Sequence, residues 1–298
     1  MNTFVIAIDG PSGTGKSTVS RTLARRLGAG CLDTGAMYRI VALAMLRAGI
    51  DVDDETAVGD HLSLVQFSTP TDPDGQRHDL NGEDVTDEIR GQAVTMAVTP
   101  VSANPAVREW LRERQQRIAH SGRMVVEGRD IGTVIAPDAA LKVYLTADVA
   151  ERARRRHAQN DAAPAPGAMP ASDAVPGREA ATAAEAVWGR DAVLGREAVQ
   201  DGEAVWDRES VQSRESVQGR ETVWGRVAAG RDAGRRHRAG IDLNAVRADL
   251  QRRDTVDSTR ATAPLRIADG AVRIDTSTMT IERVIDRLAR LAAERGIR

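Results

Sequence analysis

The most constraining feature of the sequence is an apolar segment that runs directly into a glycine-rich turn. Residues 4–8 are apolar and rich in β-branched side chains, which is typical of a buried strand in a parallel sheet. Residues 10–17 then fit the pattern G-x-x-x-x-G-K-[ST]. Beyond them, Val19, Leu23 and Leu27 recur at helical spacing, so the turn should open into a helix whose free N–H groups point back at it. The sequence therefore predicts a strand, loop and helix that together bind an anion.

Each part of this loop suits a nucleotide triphosphate. Glycines let the backbone wrap closely around phosphate oxygens, Lys16 brings a mobile positive charge to the terminal phosphates, and Ser17 offers its hydroxyl to Mg²⁺. The alternative, a glycine-rich turn with an incidental lysine, is disfavoured because strand, spacing and helix all agree. The predicted ATP-binding residues are Gly10, Pro11, Ser12, Gly13, Thr14, Gly15, Lys16, Ser17 and Thr18.

Composition narrows the class of protein. A formal net charge of -2 and a pI near 6.3 over 298 residues give no overall attraction to nucleic acid. Cys31 is the only cysteine, which excludes an internal disulfide and favours a reducing compartment. The sequence begins without a basic, apolar leader and contains no run of about 18 apolar residues. We therefore expect a cytoplasmic, monomeric protein that binds neither nucleic acid nor membranes.

Strands and helices alternate along most of the chain, which predicts an α/β fold with a parallel sheet. Further buried strands are expected at residues 123–128, 141–147 and 271–277, with a closing helix at residues 280–293. Residues 32–35 are predicted to be a short connection before a helix that ends at Gly49. The inward-facing residues of that helix are predicted to be Met37, Ile40, Val41, Ala44 and Met45.

Two further segments have clear local signals. Residues 64–89 contain short alternating stretches separated by Asp-Pro-Asp-Gly and Asn-Gly, which predicts a small antiparallel insert. Residues 104–120 have the periodicity of a helix, and Asn104 followed by Pro105 is a typical helix start. Trp110 of this helix is expected to pack in the core.

Residues 160–234 differ in composition from the rest of the chain. Valines recur every six residues from Val187 to Val223, and Trp188, Trp206 and Trp224 are eighteen residues apart. Six residues is not a helical period, and large aliphatic side chains are sparse, so disorder is the favoured prediction. A short β-helix that stacks the tryptophans and folding induced by a partner remain as alternatives.

The loop predicts a triphosphate donor but leaves the phosphate acceptor open. An enzyme that brings two phosphorylated nucleotides together must neutralise groups that repel one another, so several arginines should converge between them. The sequence offers candidates at intervals: Arg39, Arg108, Arg129, residues 152–156, Arg253 and Arg260.

Six motifs resemble bacterial cytidylate kinase in sequence and in order: IDGPSGTGKS, LDTGAMYR, LNGEDVTDEIR, PAVREWLRERQ, VVEGRDIGTV and QRRDTVDSTRATAPL. The resemblance covers residues 1–159 and 235–298. It implies a P-loop nucleoside monophosphate kinase core with a parallel five-stranded sheet flanked by helices, a small α+β monophosphate-binding insert at about residues 60–100, and a lid. It also implies transfer of the γ-phosphate of ATP to CMP or dCMP with Mg²⁺. Glu127 departs mildly from the family's pattern, because Asp also occurs at this position.

The resemblance implies roles for residues that would hold the phosphate and sugar of CMP. Arg39 and Arg129 would grip the acceptor phosphate, and Arg253 would reach both phosphate and sugar. Asp257 and Arg260 would meet the ribose, although an ordinary helical ion pair is the alternative for these two.

Other residues would contact the base. By the same resemblance Thr99, Arg108 and Asp130 would read cytosine, and Thr34 would lie near the acceptor. The chemistry fits, because a carboxylate at Asp130 can accept from the exocyclic amine while Arg108 donates to O2 or N3. Uracil has a carbonyl where the amine would be and should bind worse. Thr99 could instead cap or fill a turn.

The lid is where the chain departs from the family. Arg152, Arg155 and Arg156 would open it and swing onto the transferring phosphate, so the predicted catalytic set is these three with Lys16 and Arg129. An insertion of about 75 residues between the lid's halves is tolerable because loop-closure entropy grows slowly with length. Two other functions stay open: a kinase for UMP or another monophosphate, and a P-loop switch whose repeats bind a partner.

Overall fold

A computed structural model describes residues 3–162 and 242–298 of the chain. Almost all of the predicted repeat segment therefore lies outside the described residues. None of the described helices combines the length and the apolar character needed to cross a bilayer.

Eight strands and eight helices organise the described residues. The strands are β1 (Phe4–Asp9), β2 (Gly30–Asp33), β3 (Phe67–Ser68), β4 (Asp79–Leu80), β5 (Glu83–Asp84), β6 (Arg123–Gly128), β7 (Leu141–Thr146) and β8 (Val272–Asp275). The helices are α1 (Lys16–Leu27), α2 (Thr34–Arg47), α3 (Glu55–His61), α4 (Gln92–Ala103), α5 (Pro105–Ala119), α6 (Val149–Ala162), α7 (Leu243–Thr259) and α8 (Ile281–Glu294).

Five of the strands form the predicted parallel sheet, in the order β2-β6-β1-β7-β8. Along the central strand β1, Val5 and Ala7 face a core built with α2, α4 and α5, while Ile6 and Ile8 face a second core built with α1 and α8. Because helices cover both faces, β1 is apolar throughout rather than alternating. The predicted α/β fold with its five-stranded parallel sheet is confirmed.

The prediction of a connection at residues 32–35 is wrong. Leu32 and Asp33 belong to β2, which pairs with β6, and α2 begins directly at Thr34. A strand of four residues is too short for its periodicity to stand out from a loop. The backbone N–H of Cys31, on the outer side of this edge strand, donates to the carbonyl of Thr71 at 2.7 Å, so part of the insert covers the edge.

The insert contains the predicted antiparallel segments, as the three-stranded sheet β3-β4-β5. Asn81 and Gly82 link β4 to β5, with φ of 53° and 87°, the left-handed pair that a tight hairpin turn requires. The sequence analysis did not predict α4, which follows this sheet. Pro100 lies inside α4 and removes one helical hydrogen bond, so the signal for a helix is weak. Burial of Val94, Ala97 and Val101 along one face compensates.

The predicted helix at residues 104–120 is α5, and Asn104 fixes its start. The buried amide oxygen of Asn104 accepts from the N–H groups of Ala106 and Val107, at 2.9 and 3.4 Å, and its nitrogen donates to the carbonyl of Glu55 at 3.0 Å. Trp110 is only half-buried and packs at the margin of the core, next to Phe67.

Replacing Asn104 tests how much this junction contributes to stability. Asn104→Ala should lower the free energy of unfolding by about 1–3 kcal/mol, because both the cap of α5 and the bond to Glu55 are lost. Thr280→Ala, which removes the single 3.3 Å cap of the exposed start of α8, is the matched control and should cost less. Denaturant unfolding of both variants provides the measurement. Equal losses would contradict the assigned role of Asn104.

Candidate functional site

The candidate site lies at the carboxyl edge of the sheet. The pairing of β1 with β6 places Asp9 opposite Gly128, and the pairing of β2 with β6 places Asp33 opposite Glu127. The loops that follow these three strands therefore leave the sheet at one level. Ligand sites of open α/β sheets form at this edge.

The loop after β1 has the geometry of a phosphate cradle. Gly10 has a φ of 146°, and a Cβ there would lie 2.1 Å from the carbonyl oxygen of Leu145, so no other residue fits. Helix α1 begins at Lys16, and the Lys16 Nζ donates to the carbonyls of Gly10 and Pro11 at 2.7 and 2.8 Å. The lysine thus lies folded over the loop, next to the free N–H groups of the helix start.

Ser17 and Glu127 form a second polar contact under the loop. The hydroxyl of Ser17 donates to Oε2 of Glu127 at 3.0 Å, and Glu127 is buried. Burial and the nearby Asp33 carboxylate raise the pKa of Glu127, while burial and the Arg129 guanidinium lower the pKa of Lys16. In both side chains, burial thus disfavours the charged form. An incoming phosphate would stabilise the charged form of Lys16.

Beside this loop lies a cleft that brings all nine predicted CMP-binding residues together. They are Thr34, Arg39, Thr99, Arg108, Arg129, Asp130, Arg253, Asp257 and Arg260. The phosphate loop also reaches the cleft, through Ser12. Residues scattered over more than 200 positions of sequence thus line one concave surface.

One end of the cleft is strongly cationic. Arg39 donates from one nitrogen to the carbonyl of Ile89 and to the hydroxyl of Thr95, both at 3.0 Å. Arg253 donates to the carbonyl of the same Thr95 at 3.0 Å. Burial, followed by the charges of Arg156 and Arg253, lowers the pKa of Arg39 to about 10. Crowded, half-buried guanidinium groups of this kind are stabilised by an anion.

The other end of the cleft holds a buried ion pair. Arg108 donates to Oδ2 of Asp130 at 2.5 Å, with side chains that are 5% and 7% exposed. Burial raises the pKa of Asp130 although Arg108 opposes the shift. The Tyr38 ring lies 5.6 Å below the guanidinium of Arg108, and Nη2 of the buried Arg260 has no partner among the described residues. Donors and an acceptor for a polar ring therefore converge here.

Arg129 connects the two halves of the site. It donates to the hydroxyl of Ser12 in the phosphate loop at 2.6 Å and pairs with Asp257 of α7 at 2.9 Å. Asp257 also lies 3.6 Å from Arg260. This arginine is the direct link between the loop and the cleft.

The three predicted lid arginines are engaged in different places. Arg152 is buried, donates to the carbonyl of Ser12 at 3.1 Å and pairs with Asp254 of α7 at 2.7 Å. Arg155 donates to the carbonyl of Thr276, at the end of β8, at 2.7 Å. Arg156 is half-buried, and its charge acts on Arg39. Arg152 and Arg156 are thus close to the predicted site, and Arg155 contacts Thr276, whose hydroxyl donates to the carbonyl of Thr14 in the phosphate loop at 3.2 Å.

Comparisons with known proteins show the family of the chain. The family model of cytidylate kinase matches residues 6–168 and 226–294. The chain belongs to the cytidylate kinase family. A relative named cytidylate kinase from Rhodococcus opacus (strain B4) is 44% identical over 296 residues, which are 99% of this chain and 97% of the relative. Another, from Geobacillus thermodenitrificans (strain NG80-2), is 35% identical over 290 residues, 97% of this chain and 96% of the relative.

Glu127, Tyr38 and Thr95 are among the residues of the site that were not assigned from the sequence. Glu127 is the one acid of β6 and follows three apolar residues, which is a detectable signal for a residue at the edge of the site. Tyr38 precedes Arg39 on α2 and lines the cleft, but a tyrosine on a mostly apolar helix is equally expected in the core. Thr95 lies on α4, and its contacts with two arginines depend on tertiary structure alone.

The buried ion pair of Arg108 and Asp130 should contribute more to stability than an exposed ion pair does. Asp130→Ala should lower the free energy of unfolding by about 3–5 kcal/mol, because Arg108 is left buried and unpaired. Asp286→Ala removes the partner of Arg26 in an exposed pair of 2.6 Å and should cost less than about 1 kcal/mol. Urea unfolding gives the loss in free energy of unfolding for both variants. Similar losses would contradict the larger contribution expected of the buried pair.

Proposed function

We propose that this cytidylate kinase transfers the γ-phosphoryl group of ATP to CMP or dCMP, giving ADP and CDP or dCDP, in the cleft beside the phosphate loop. The observation that carries the proposal is the convergence of nine residues on that cleft and the link from Arg129 to Ser12. Two phosphorylated substrates that meet end to end need such a cationic junction.

The loop at residues 10–18 is the proposed ATP site, and Mg²⁺ is its proposed companion. The Ser17 hydroxyl and the Glu127 carboxylate, 3.0 Å apart, are the hard oxygen donors that Mg²⁺ prefers. Among the described residues, no group of three or more His, Cys, Asp and Glu side chains is placed to hold a metal. We therefore propose that Mg²⁺ arrives with the nucleotide. When bound, Mg²⁺ would neutralise charge on the phosphates.

Base selection is proposed to depend on the buried pair. The carboxylate of Asp130 accepts from the exocyclic amine of cytosine, Arg108 donates to its ring acceptors, and Thr99 lies beside them. The unpartnered nitrogen of Arg260 and the ring of Tyr38 lie close to the same pair. Uracil presents a carbonyl to Asp130, and the resulting contact between two acceptors should weaken its binding.

The acceptor phosphate is proposed to lie between Arg39, Arg253 and Arg129. Its oxygen attacks the γ-phosphorus directly, so no side chain needs to act as a covalent nucleophile. Thr34 is proposed to lie near the acceptor, and Asp257 with Arg260 near the ribose. Since Asp257 is already paired with Arg129, it can orient the arginine without any contact to a 2′-hydroxyl, which agrees with acceptance of dCMP.

Arg152, Arg155 and Arg156 are proposed to contact the transferring phosphate when the lid closes. Arg152 already donates to the carbonyl of Ser12 in the phosphate loop, and the charge of Arg156 acts on Arg39 at the cationic end of the cleft. Arg155 would first have to leave Thr276. A cytoplasmic location and a monomeric state stay predictions, as do the domain boundaries at residues 159 and 235.

Substrate choice tests the proposal. Release of ADP, measured in a coupled assay with CMP, dCMP, UMP and AMP at equal concentrations, should be fastest with CMP or dCMP and at least about tenfold slower with UMP. Preference for AMP would show that the pair of Arg108 and Asp130 does not select the base. Activity without any monophosphate would instead favour a nucleotide-dependent switch.

Loss of charge at the junction provides a second test. Lys16→Ala and Arg129→Ala should each lower kcat/KM with CMP by about 100-fold or more, because each removes a cation from the transferring phosphate. Lys142→Ala is the matched control, since among the described residues the only hydrogen bond of this second lysine goes to the carbonyl of Asp269, at 3.4 Å. Circular dichroism checks that all three variants fold. Near-normal turnover by either test variant would contradict its role.

A further inference from the structure

Asp9 is a buried acid to which the proposed function assigns no role. It is the last residue of β1, directly before the phosphate loop, and it is 3% exposed. Oδ1 accepts from the N–H of Ile131 and Oδ2 accepts from the N–H of Gly132, both at 2.8 Å. Both carboxylate oxygens of Asp9 are thus committed to the segment that carries Arg129 and Asp130.

The two N–H groups that donate to Asp9 lie at the start of a helical turn, where a side chain close in sequence would ordinarily be the acceptor. After Asp130 the chain makes a single wide helical turn, Ile131–Ile135, whose first N–H groups need an acceptor. An aspartate that precedes a helical turn usually supplies this acceptor with its own carboxylate. The Asp130 side chain makes no such bond, because it faces Arg108 at 2.5 Å instead.

The capping acceptor therefore comes from another strand. Without Asp9, the N–H groups of Ile131 and Gly132 would be left without these partners, and the nearest carboxylate in sequence is that of Asp130. Turning Asp130 back to cap its own segment would break its contact with Arg108. The Asp130 carboxylate can thus either cap the turn that follows it or face Arg108 and the base, but it cannot do both.

The electrostatic surroundings of Asp9 agree with separate roles for Asp9 and Asp130. The pKa of Asp9 is raised to about 6: burial is the largest cause and the charge of Asp130 acts in the same direction, whereas the two N–H groups and Lys16 oppose the rise. Two neighbouring carboxylates are therefore kept apart by separate partners: N–H groups for Asp9 and guanidinium for Asp130.

We propose that Asp9 is a positioning residue for base selection: by capping the turn after Asp130 from a different strand, it leaves the Asp130 carboxylate free to face Arg108 and the cytosine amine. This inference rests on the proposed role of Asp130 as a reader of the base. It implies that the end of β1, which precedes the phosphate loop, influences the acceptor site.

The test is the ratio of kcat/KM for CMP to kcat/KM for UMP. Asp9→Asn keeps the shape but turns an NH₂ group onto one of the two N–H donors, so the cap is impaired. The ratio should fall about tenfold, mainly through a higher KM for CMP, while KM for ATP changes less than about twofold. A smaller folded fraction lowers both rates equally and leaves the ratio unaltered. A ratio equal to that of the unmodified enzyme overturns the proposal.

Two controls separate the inference from its premise. Asp54→Ala removes another aspartate cap of two bonds, at the start of α3, where Oδ1 accepts from the N–H groups of Thr56 and Ala57 at 3.1 and 3.0 Å, and it should leave the ratio unaltered. If it lowers the ratio as Asp9→Asn does, the effect is general and the proposal fails. Asp130→Asn tests the premise: no change of ratio refutes base reading by Asp130, whereas a fall seen there but not in Asp9→Asn refutes only the role of Asp9.

Gly132→Ala provides an independent route if Asp9→Asn does not fold. A Cβ at Gly132 would lie only 3.0 Å from the Cβ of Ala268, whereas its 3.4 Å distance from Oδ2 of Asp9 is an ordinary contact. Relief of the crowding by a shift of the turn away from Ala268 changes the distance between Gly132 and Asp9. The ratio of kcat/KM for CMP to that for UMP should fall in this variant as well. A folded Gly132→Ala enzyme with an unaltered ratio overturns the proposal.

Discussion

The parallel pairing of β1 with β6 is the constraint on which the site depends. Asp9 lies opposite Gly128, so the next residues of the two strands, Gly10 and Arg129, leave the sheet side by side. One strand continues into the phosphate loop and the other into the arginine that reaches Ser12. A slip of one residue would turn the side chains of β6 to the opposite face and move Arg129 away from the loop. Burial on both faces of the sheet fixes this register, and the core thereby sets the distance between the loop after β1 and the cleft.

The arginines of the cleft are arranged so that each has a partial partner before any ligand arrives. Arg39 is held by the carbonyl of Ile89 and the hydroxyl of Thr95, whereas Arg253 also pairs with Asp249 at 3.0 Å and Arg129 pairs with Asp257. At Arg39 the carbonyl and the hydroxyl satisfy the guanidinium donors without neutralising the charge, so the positive potential persists there. A bound phosphate can then gain charge-assisted bonds without much reordering of side chains, because the arginines are already oriented.

Elements with evidence in the local sequence could mostly be predicted, whereas contacts that depend on tertiary structure could not. The phosphate loop, the apolar strands and α5 each carry their evidence within about ten consecutive residues, and all were predicted. Strand β2 was missed because four residues show no period, and α4 because Pro100 masks it. The nine cleft residues were assigned through resemblance to a family, since spacing alone cannot bring Arg39 to Arg253. Contacts such as that of Asp9 with Ile131 exist only once the strands are paired, so no local pattern could reveal them.

Helices α6 and α7 connect a predicted lid arginine to the phosphate loop. Ala153 of α6 packs against Val246 and Leu250 of α7, and Arg152 pairs with Asp254 across the same interface. Arg152 also donates to Ser12 of the phosphate loop. The apolar contact and the ion pair hold α6 against α7, and the bond to Ser12 holds Arg152 against the loop. The packing of these two helices is therefore coupled to the position of a cation beside the phosphate loop.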